Sequence, residues 1–212
     1  MKRMIGALAL VLFASCGIAF AADTASIVYI EGDVTMNGSP AEVGDVVLPG
    51  ALMETGKASV CQVVFNTKNI VHMAAGTTLR FDGKVLSRGA TVQRGAVAMV
   101  LRKLVSTPGD QVKFSITTST AVAGVRGTCF FVVVEDEDHT YICACNGQIR
   151  LQGAGQSFTQ NLASSHHQEL RVTRSASGIS VSAAPLEYHN DEAVEAVAAR
   201  IGETIDWTKL ER

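Results

Sequence analysis

The sequence has no large excess of charge and none of the short signatures of familiar enzymes. Its 18 Lys and Arg stand against 20 Asp and Glu, a net charge of −2. No basic stripe interleaved with aromatics occurs, so nucleic acid is not expected as a partner. Glycine-rich phosphate loops, a Gly-x-Ser-x-Gly elbow and a His-Glu-x-x-His pair are all missing. The expectation is therefore of a protein that is not an enzyme. A Cys-x-x-Cys-His run is missing too, which removes covalent c-type haem. Beyond the N-terminal stretch, no apolar run reaches the roughly 18 residues of a membrane-spanning helix. Proline is scarce, with 4 residues against 19 glycines. Together with many short Val/Ile/Thr runs, that balance points to turns and strands.

What is present begins with an address. Lys2 and Arg3 precede the apolar Ile5 to Phe13, and Ala19-Phe20-Ala21 has the small-x-small form of a signal-peptidase site. Residues 1–21 are read as a signal peptide, which implies an exported, periplasmic protein. The alternative is a lipoprotein, with Phe13-Ala14-Ser15-Cys16 as a lipobox and Cys16 as the lipid anchor.

Short strand patterns then follow roughly every 8–12 residues, which suggests a sandwich, a barrel or an irregular β-solenoid. Ile27–Ile30, Val34–Met36, Val43–Leu48, Leu52–Thr55, Ser59–Asn66, Ile70–Ala74, Thr77–Phe81 and Lys84–Ser87 read as strands. Ala90–Val105 suits a strand or a helix and is read as a strand. Asn37-Gly38 and Asn146-Gly147 are tight-turn dipeptides.

The central stretch is a hairpin. Phe130–Glu135 and Thr140–Cys143 are rich in β-branched and aromatic residues around the acidic turn Asp136-Glu137-Asp138. A turn centred near Glu137 puts Cys129 opposite Cys145, with Cys143 on the same face. Directly opposed Cβ atoms lie roughly 4.5–5.5 Å apart. A slip of one residue would send Cys129 to the other side.

Export permits disulfides among Cys61, Cys129, Cys143 and Cys145. Thiolate beside imidazole instead suits zinc, copper or an iron–sulfur cluster. The candidate metal ligands are Cys129, Cys143, Cys145, His166 and His167. Two Cys and two His would close a tetrahedral zinc site, with Cys129 spare or substituting for one histidine. Adjacent histidines reach one metal only at a bend, because neighbours on a strand face opposite ways. A nucleophilic pair such as Cys129 with His139 is disfavoured, since His139 lies in the acidic turn.

The tail changes character. Ile179–Val181 reads as a last edge strand and Pro185 as a break. Asn190 is an N-cap, Asp191 and Glu192 suit the first turn, and Ala193, Val194, Val197, Ala198 and Ile201 make one apolar face of a short helix ending near Gly202. Ile205, Trp207 and Leu210 would anchor the end onto the β-domain or a partner.

Ala121-Val122-Ala123-Gly124-Val125-Arg126-Gly127-Thr128 before an apolar run resembles the most recognisable motif of the FecR domain. Gly32-Asp33-Val34, Val43-Gly44-Asp45-Val46-Val47 and Glu54-Thr55-Gly56-Lys57-Ala58-Ser59 are similar to its upstream steps. The resemblance covers roughly Ile27 to Leu151. It implies an all-β fold, an irregular β-solenoid or sandwich of short strands, here with a short C-terminal α-helix. The organisation expected is a signal peptide over 1–21, a FecR-like β domain over 25–184 and a helical tail over 185–212. Gly124, Arg126, Gly127 and Thr128 are read as a structural corner, with Arg126 held by carbonyls or a carboxylate. Thr140-Tyr141-Ile142-Cys143-Ala144-Cys145-Asn146-Gly147 with His166-His167 also resembles an arrangement in some stand-alone FecR-like proteins.

FecR-domain proteins couple an outer-membrane receptor to a cytoplasmic sigma factor. The cytoplasmic segment and transmembrane helix for that coupling are not expected here. The function implied is a non-catalytic periplasmic binding or scaffold module for an envelope protein partner, in protein interaction or signalling. The alternative is a Cys/His metal-binding or redox-active envelope protein, with zinc or another transition metal as cofactor.

Overall fold

The computed structural model describes residues 25–82, 88–102, 114–155 and 158–210. The expected signal peptide, Cys16 and the strand expected at Lys84–Ser87 lie outside them. Among the described residues fifteen strands and one helix follow in order: β1 (Ala25–Glu31), β2 (Val34–Met36), β3 (Ser39–Pro40), β4 (Val46–Val47), β5 (Leu52–Thr55), β6 (Val60–Phe65), β7 (Asn69–Met73), β8 (Thr78–Phe81), β9 (Gly89–Leu101), β10 (Phe114–Thr117), β11 (Ala121–Val134), β12 (His139–Gly153), β13 (Thr159–Ser164), β14 (Glu169–Ser175), β15 (Gly178–Ala183) and α1 (Asp191–Ala199).

Hydrogen-bonded neighbours and one chain corner close a ring. β1 pairs with β6, β6 with β7, and β7 with the second half of β9. The first half of β9 pairs with β8, β8 with β5, and β5 with β2. The corner at Gly32-Asp33 then leads from β2 back to β1. A long strand that bends at Gly95 (φ 81°) serves both sides of the ring, so the architecture is barrel-like. The expected solenoid or sandwich is not what these pairings make, because neither arrangement closes on itself. From the ring the sheet extends through β10 and β11 to β12, β14 and β15.

Alternation along β11 divides the core. Phe130 and Val132 face the barrel interior with Phe65, Met99 and Phe114. Cys129, Phe131 and Val133 face outward with Tyr141, Cys143 and Cys145. That outer face is apolar and is covered by α1 through Val194, Val197 and Ala198, with Ile205 and Trp207 packed beside them. The helix starts as its sequence directs: the Asn190 side chain accepts from the Ala193 N–H at 2.9 Å. Asp191 and Glu192 occupy its first turn.

Two local expectations fail. Val43–Leu48 shortens to β4, and Asn146-Gly147 is no turn but the middle of β12. Thr128 explains the second. Its Oγ1 donates to the Gln148 carbonyl at 2.9 Å and accepts from the Gln148 N–H at 3.2 Å. The side chain thus takes over the ladder where β11 bulges, and β12 continues past it. Gly147 has φ 129°, and a Cβ there would stand 2.8 Å from Thr128 Cα. No helix among the described residues is long and apolar enough to cross a membrane.

Candidate metal centre

The hairpin register follows a turn centred on Glu137: Val134 pairs with Thr140, Val132 with Ile142 and Phe131 with Cys143. Extrapolation would set Cys129 against Cys145, but a bulge intervenes and Cys129 pairs with Asn146. Cys145 is the extra residue of that bulge. Its carbonyl accepts from the His167 N–H at 2.9 Å, and its thiol stays on the outer face with Cys143.

Four donors converge there. Cys143, Cys145, His167 and His189 each present one ligand atom, all within 4.8 Å of one another. Cys143 Sγ lies 3.6 Å from Cys145 Sγ and 3.3 Å from His167 Nδ1, and Cys145 Sγ lies 3.4 Å from His189 Nε2. A tetrahedral zinc with ordinary bond lengths has S···S edges of about 3.8 Å and S···N edges of about 3.6 Å. These three of the six edges are within a few tenths of an ångström of those, and the other three are shorter than 4.8 Å.

Both imidazoles are already oriented. The His189 Nδ1 contacts the Glu187 carbonyl at 2.9 Å and must donate to it, which leaves a lone pair on Nε2 facing Cys145. The His167 Nε2 contacts Asp191 Oδ1 at 2.7 Å and leaves Nδ1 facing Cys143. Carbonyl and carboxylate partners of this kind fix metal-binding histidines in the ligating tautomer. Ring packing holds the same poses. His189 stacks on Phe131 with centroids 4.4 Å apart, and His167 lies 5.1 Å from Trp207.

The electrostatics favour one thiolate, Cys143, beside a protonated imidazole. A hydrogen bond from Cys145, with further ones from His167 and His189, overcomes burial and holds the Cys143 thiol well below its ordinary range. Burial, then Cys129 and Cys143, pushes Cys145 well up. Burial alone would lower His167, but Cys143 and Asp191 more than offset it and raise it to about 8. Cys143 and His167 thus favour sharing a proton, which a bound cation would displace.

Of the five expected ligands, the structure brings Cys143, Cys145 and His167 together. Cys129 is buried beside Cys145 but is not one of the four convergent donors. His166 turns outward onto Asp191 (3.0 Å) because its neighbour His167, at φ 49°, makes the bend between them. His189 is the ligand that sequence reasoning misses. It sits 44 residues beyond Cys145 in sequence, and the one signal that could have found it is its place directly before the N-cap Asn190. Cys61 lies elsewhere, in the barrel core, where burial pushes its thiol up to about 12. All four described cysteines are free thiols. Gly127 and Thr128 lie on β11 at the bulge, and Gly124 and Arg126 fall in the regular part of the same strand before it.

Cys143, His167 and Asp191 also follow one another in the order of a nucleophile, base and orienting acid. Cys143 is 0% exposed and packs within the core under α1, so no substrate carbon reaches its sulfur. His139 is held at the far end of the hairpin by Asp136 at 2.8 Å.

The fold and the cluster define a β-scaffold with a buried thiolate–imidazole centre. Residues 51–150 match the family model for the FecR protein. The match runs from just before β5 into β12. It contains Cys143 and Cys145 and ends before His167 and His189. Two crystal structures of a proposed anti-sigma factor from Parabacteroides distasonis ATCC 8503 are similar, at 18% and 19% identity with TM-scores of 0.49 and 0.48. Each match covers 62% of this chain and 59% of that one, so the chain matches less than two thirds of their length. No curated protein matches the chain.

Proposed function

We propose that the protein is a non-catalytic FecR-like regulatory module of the bacterial envelope that holds one transition-metal ion, zinc in the first place. Cys143, Cys145, His167 and His189 are its ligands. The observation that carries this reading is the convergence of two sulfurs and two correctly oriented imidazole nitrogens at tetrahedral spacing. Soft and borderline donors in that geometry favour zinc over calcium or magnesium. Four protein ligands leave no open position, so the metal is structural rather than catalytic. A two-iron Rieske centre is disfavoured, because there the histidines and cysteines bind different irons, whereas each thiol here touches an imidazole.

The role follows from where the ligands come from. Cys143 and Cys145 belong to β12, His167 to the bend before β14, and His189 to the segment that leads into α1. A metal here staples the tail, residues 185–212, onto the β domain of 25–184 and leaves the rest of the surface for an envelope protein partner. Periplasmic export through residues 1–21 belongs to the same proposal.

Titration with Co²⁺ tests the metal reading. Tetrahedral S₂N₂ coordination gives intense visible d–d bands and a thiolate charge-transfer band, saturating at one equivalent. Weak octahedral spectra, or no saturation, would exclude the site.

A further inference from the structure

Of the two adjacent histidines expected as ligands, the buried centre uses only His167. His166 points instead at Asp191, with its Nε2 3.0 Å from Oδ2 and 3.2 Å from Oδ1. His167 reaches the same carboxylate by the ring nitrogen that faces away from the thiols, with Nε2 2.7 Å from Oδ1. His166, His167 and Asp191 therefore form a second set of convergent donors, one atom from each, all within 4.8 Å of one another.

The backbone is bent to bring them together. Neighbours on a strand face opposite ways, but at His167 the chain takes φ 49°, a left-handed conformation unfavourable for a residue with a Cβ. Asp191 is free for this role because Asn190 caps the helix, accepting from the Ala193 N–H. Trp207 walls the cluster. Its ring lies 5.0 Å from His166 and 5.1 Å from His167, and its Nε1 donates to Glu195 at 2.7 Å.

The donor set and its spacing select a class of ion. Two imidazole nitrogens and a carboxylate oxygen suit nickel(II) and copper(II), which favour tetragonal or octahedral positions. With bonds of about 2.0–2.1 Å, donors at right angles stand about 2.8–3.0 Å apart, whereas tetrahedral ones stand about 3.3–3.4 Å apart. The contacts of 2.7 and 3.0 Å match the right-angled set. Side-chain exposure rises from 6% at His167 to 38% at Asp191 and 52% at His166, so the remaining coordination positions face water.

We propose that His166, His167 and Asp191 form a second, solvent-facing metal site that takes one nickel(II) or copper(II) ion. His167 serves both sites, with Nδ1 toward Cys143 and Nε2 toward Asp191. The second ion takes the place of the proton that Nε2 donates to Asp191, and that proton leaves to solvent. Only this sharing rests on the zinc reading, because no thiol is a ligand of the second ion.

Trp207 is the one tryptophan of the chain, so its fluorescence reports on the site. The test is titration with Ni²⁺ of protein loaded with one equivalent of zinc, read by that fluorescence and by near-ultraviolet absorption. Nickel should quench the emission, saturate at one per chain and give no thiolate-to-nickel charge-transfer band. His166→Ala and Asp191→Asn should each weaken nickel binding roughly tenfold or more. His139→Ala, whose ring contacts Asp136 at the far end of the hairpin, should leave it unchanged. Absence of quenching, no saturation at one per chain, or equal affinity in His166→Ala would overturn the proposal. Quenching that brings the charge-transfer band would put nickel at Cys143 and Cys145, and would overturn it too. If the protein takes up no zinc, the zinc reading fails by itself. The same titration on Cys143→Ser/Cys145→Ser, which lacks both thiolates, then decides the second site.

Discussion

His189 Nε2 lies 3.4 Å from Cys145 Sγ, across 44 residues of sequence and across the seam between the β-sheet and the tail. A bond routed through a metal at that point ties α1 to β12. The first prediction concerns that tie. Zinc at a thousandfold excess over its dissociation constant should stabilise the wild type by about 4 kcal/mol. Thermal melting with and without zinc measures it. His189→Ala and Cys143→Ser should lose the increment, whereas His166→Ala, whose ring faces Asp191 outside the four donors, should keep it.

Asn190 links helix initiation to the same centre, because it caps α1 between His189 and Asp191. Asn190→Ala should cost about 1 kcal/mol in chemical denaturation. It should also weaken zinc binding in a competition titration, since the loosened first turn carries the Asp191 that orients His167. An effect on stability with zinc affinity unchanged would separate the helix from the metal.

The β11 bulge makes a steric prediction. Gly38 has φ 80°, and a Cβ there would meet nothing within 4 Å, so Gly38→Ala should cost only the left-handed backbone penalty, about 1–2 kcal/mol. Gly147→Ala adds contacts of 2.8 Å with Thr128 Cα and Oγ1, and should cost more than Gly38→Ala. Denaturant midpoints of the two variants compare them directly.

Acid stability depends on the tail as well. Arg171 bonds to Glu135 at 2.7 Å and to Glu187 at 2.8 Å. Arg171 foremost, with Tyr188 in support, outweighs burial and holds the Glu135 carboxyl below its ordinary 4.5. A depressed carboxylate stabilises the fold fully above its unfolded value, and that contribution is lost as pH falls through the folded one. Stability should therefore drop on acidification below about pH 4.5. Arg171→Met should flatten that acid limb while lowering stability at neutral pH, as read from denaturation at a series of pH values.

Much of this was legible in local pattern. Leu52–Thr55 emerges as β5 with the expected bounds, the turn at Glu137 sets the hairpin register from Val134 to Phe131, and Asn190 caps α1. These are short-range effects, decided by residues within a few positions of one another. The bulge was not legible, because it depends on Thr128 bonding to Gln148 from the neighbouring strand. For the same reason Asn146-Gly147, a turn by composition, runs straight on as strand. The ring closure was hidden too, since it needs β9 to serve two sets of neighbours. His189 escaped because its one local mark, the place before the N-cap Asn190, does not point to a metal: its role comes from α1 folding back over the outer face of the hairpin.

The most direct measurement is elemental analysis of the protein, purified without chelator, beside Cys143→Ser/Cys145→Ser. One zinc per chain in the wild type and none in the double variant is the predicted result. A wild-type protein without metal that also fails to take up zinc on addition, or a double variant that retains it, would contradict the account.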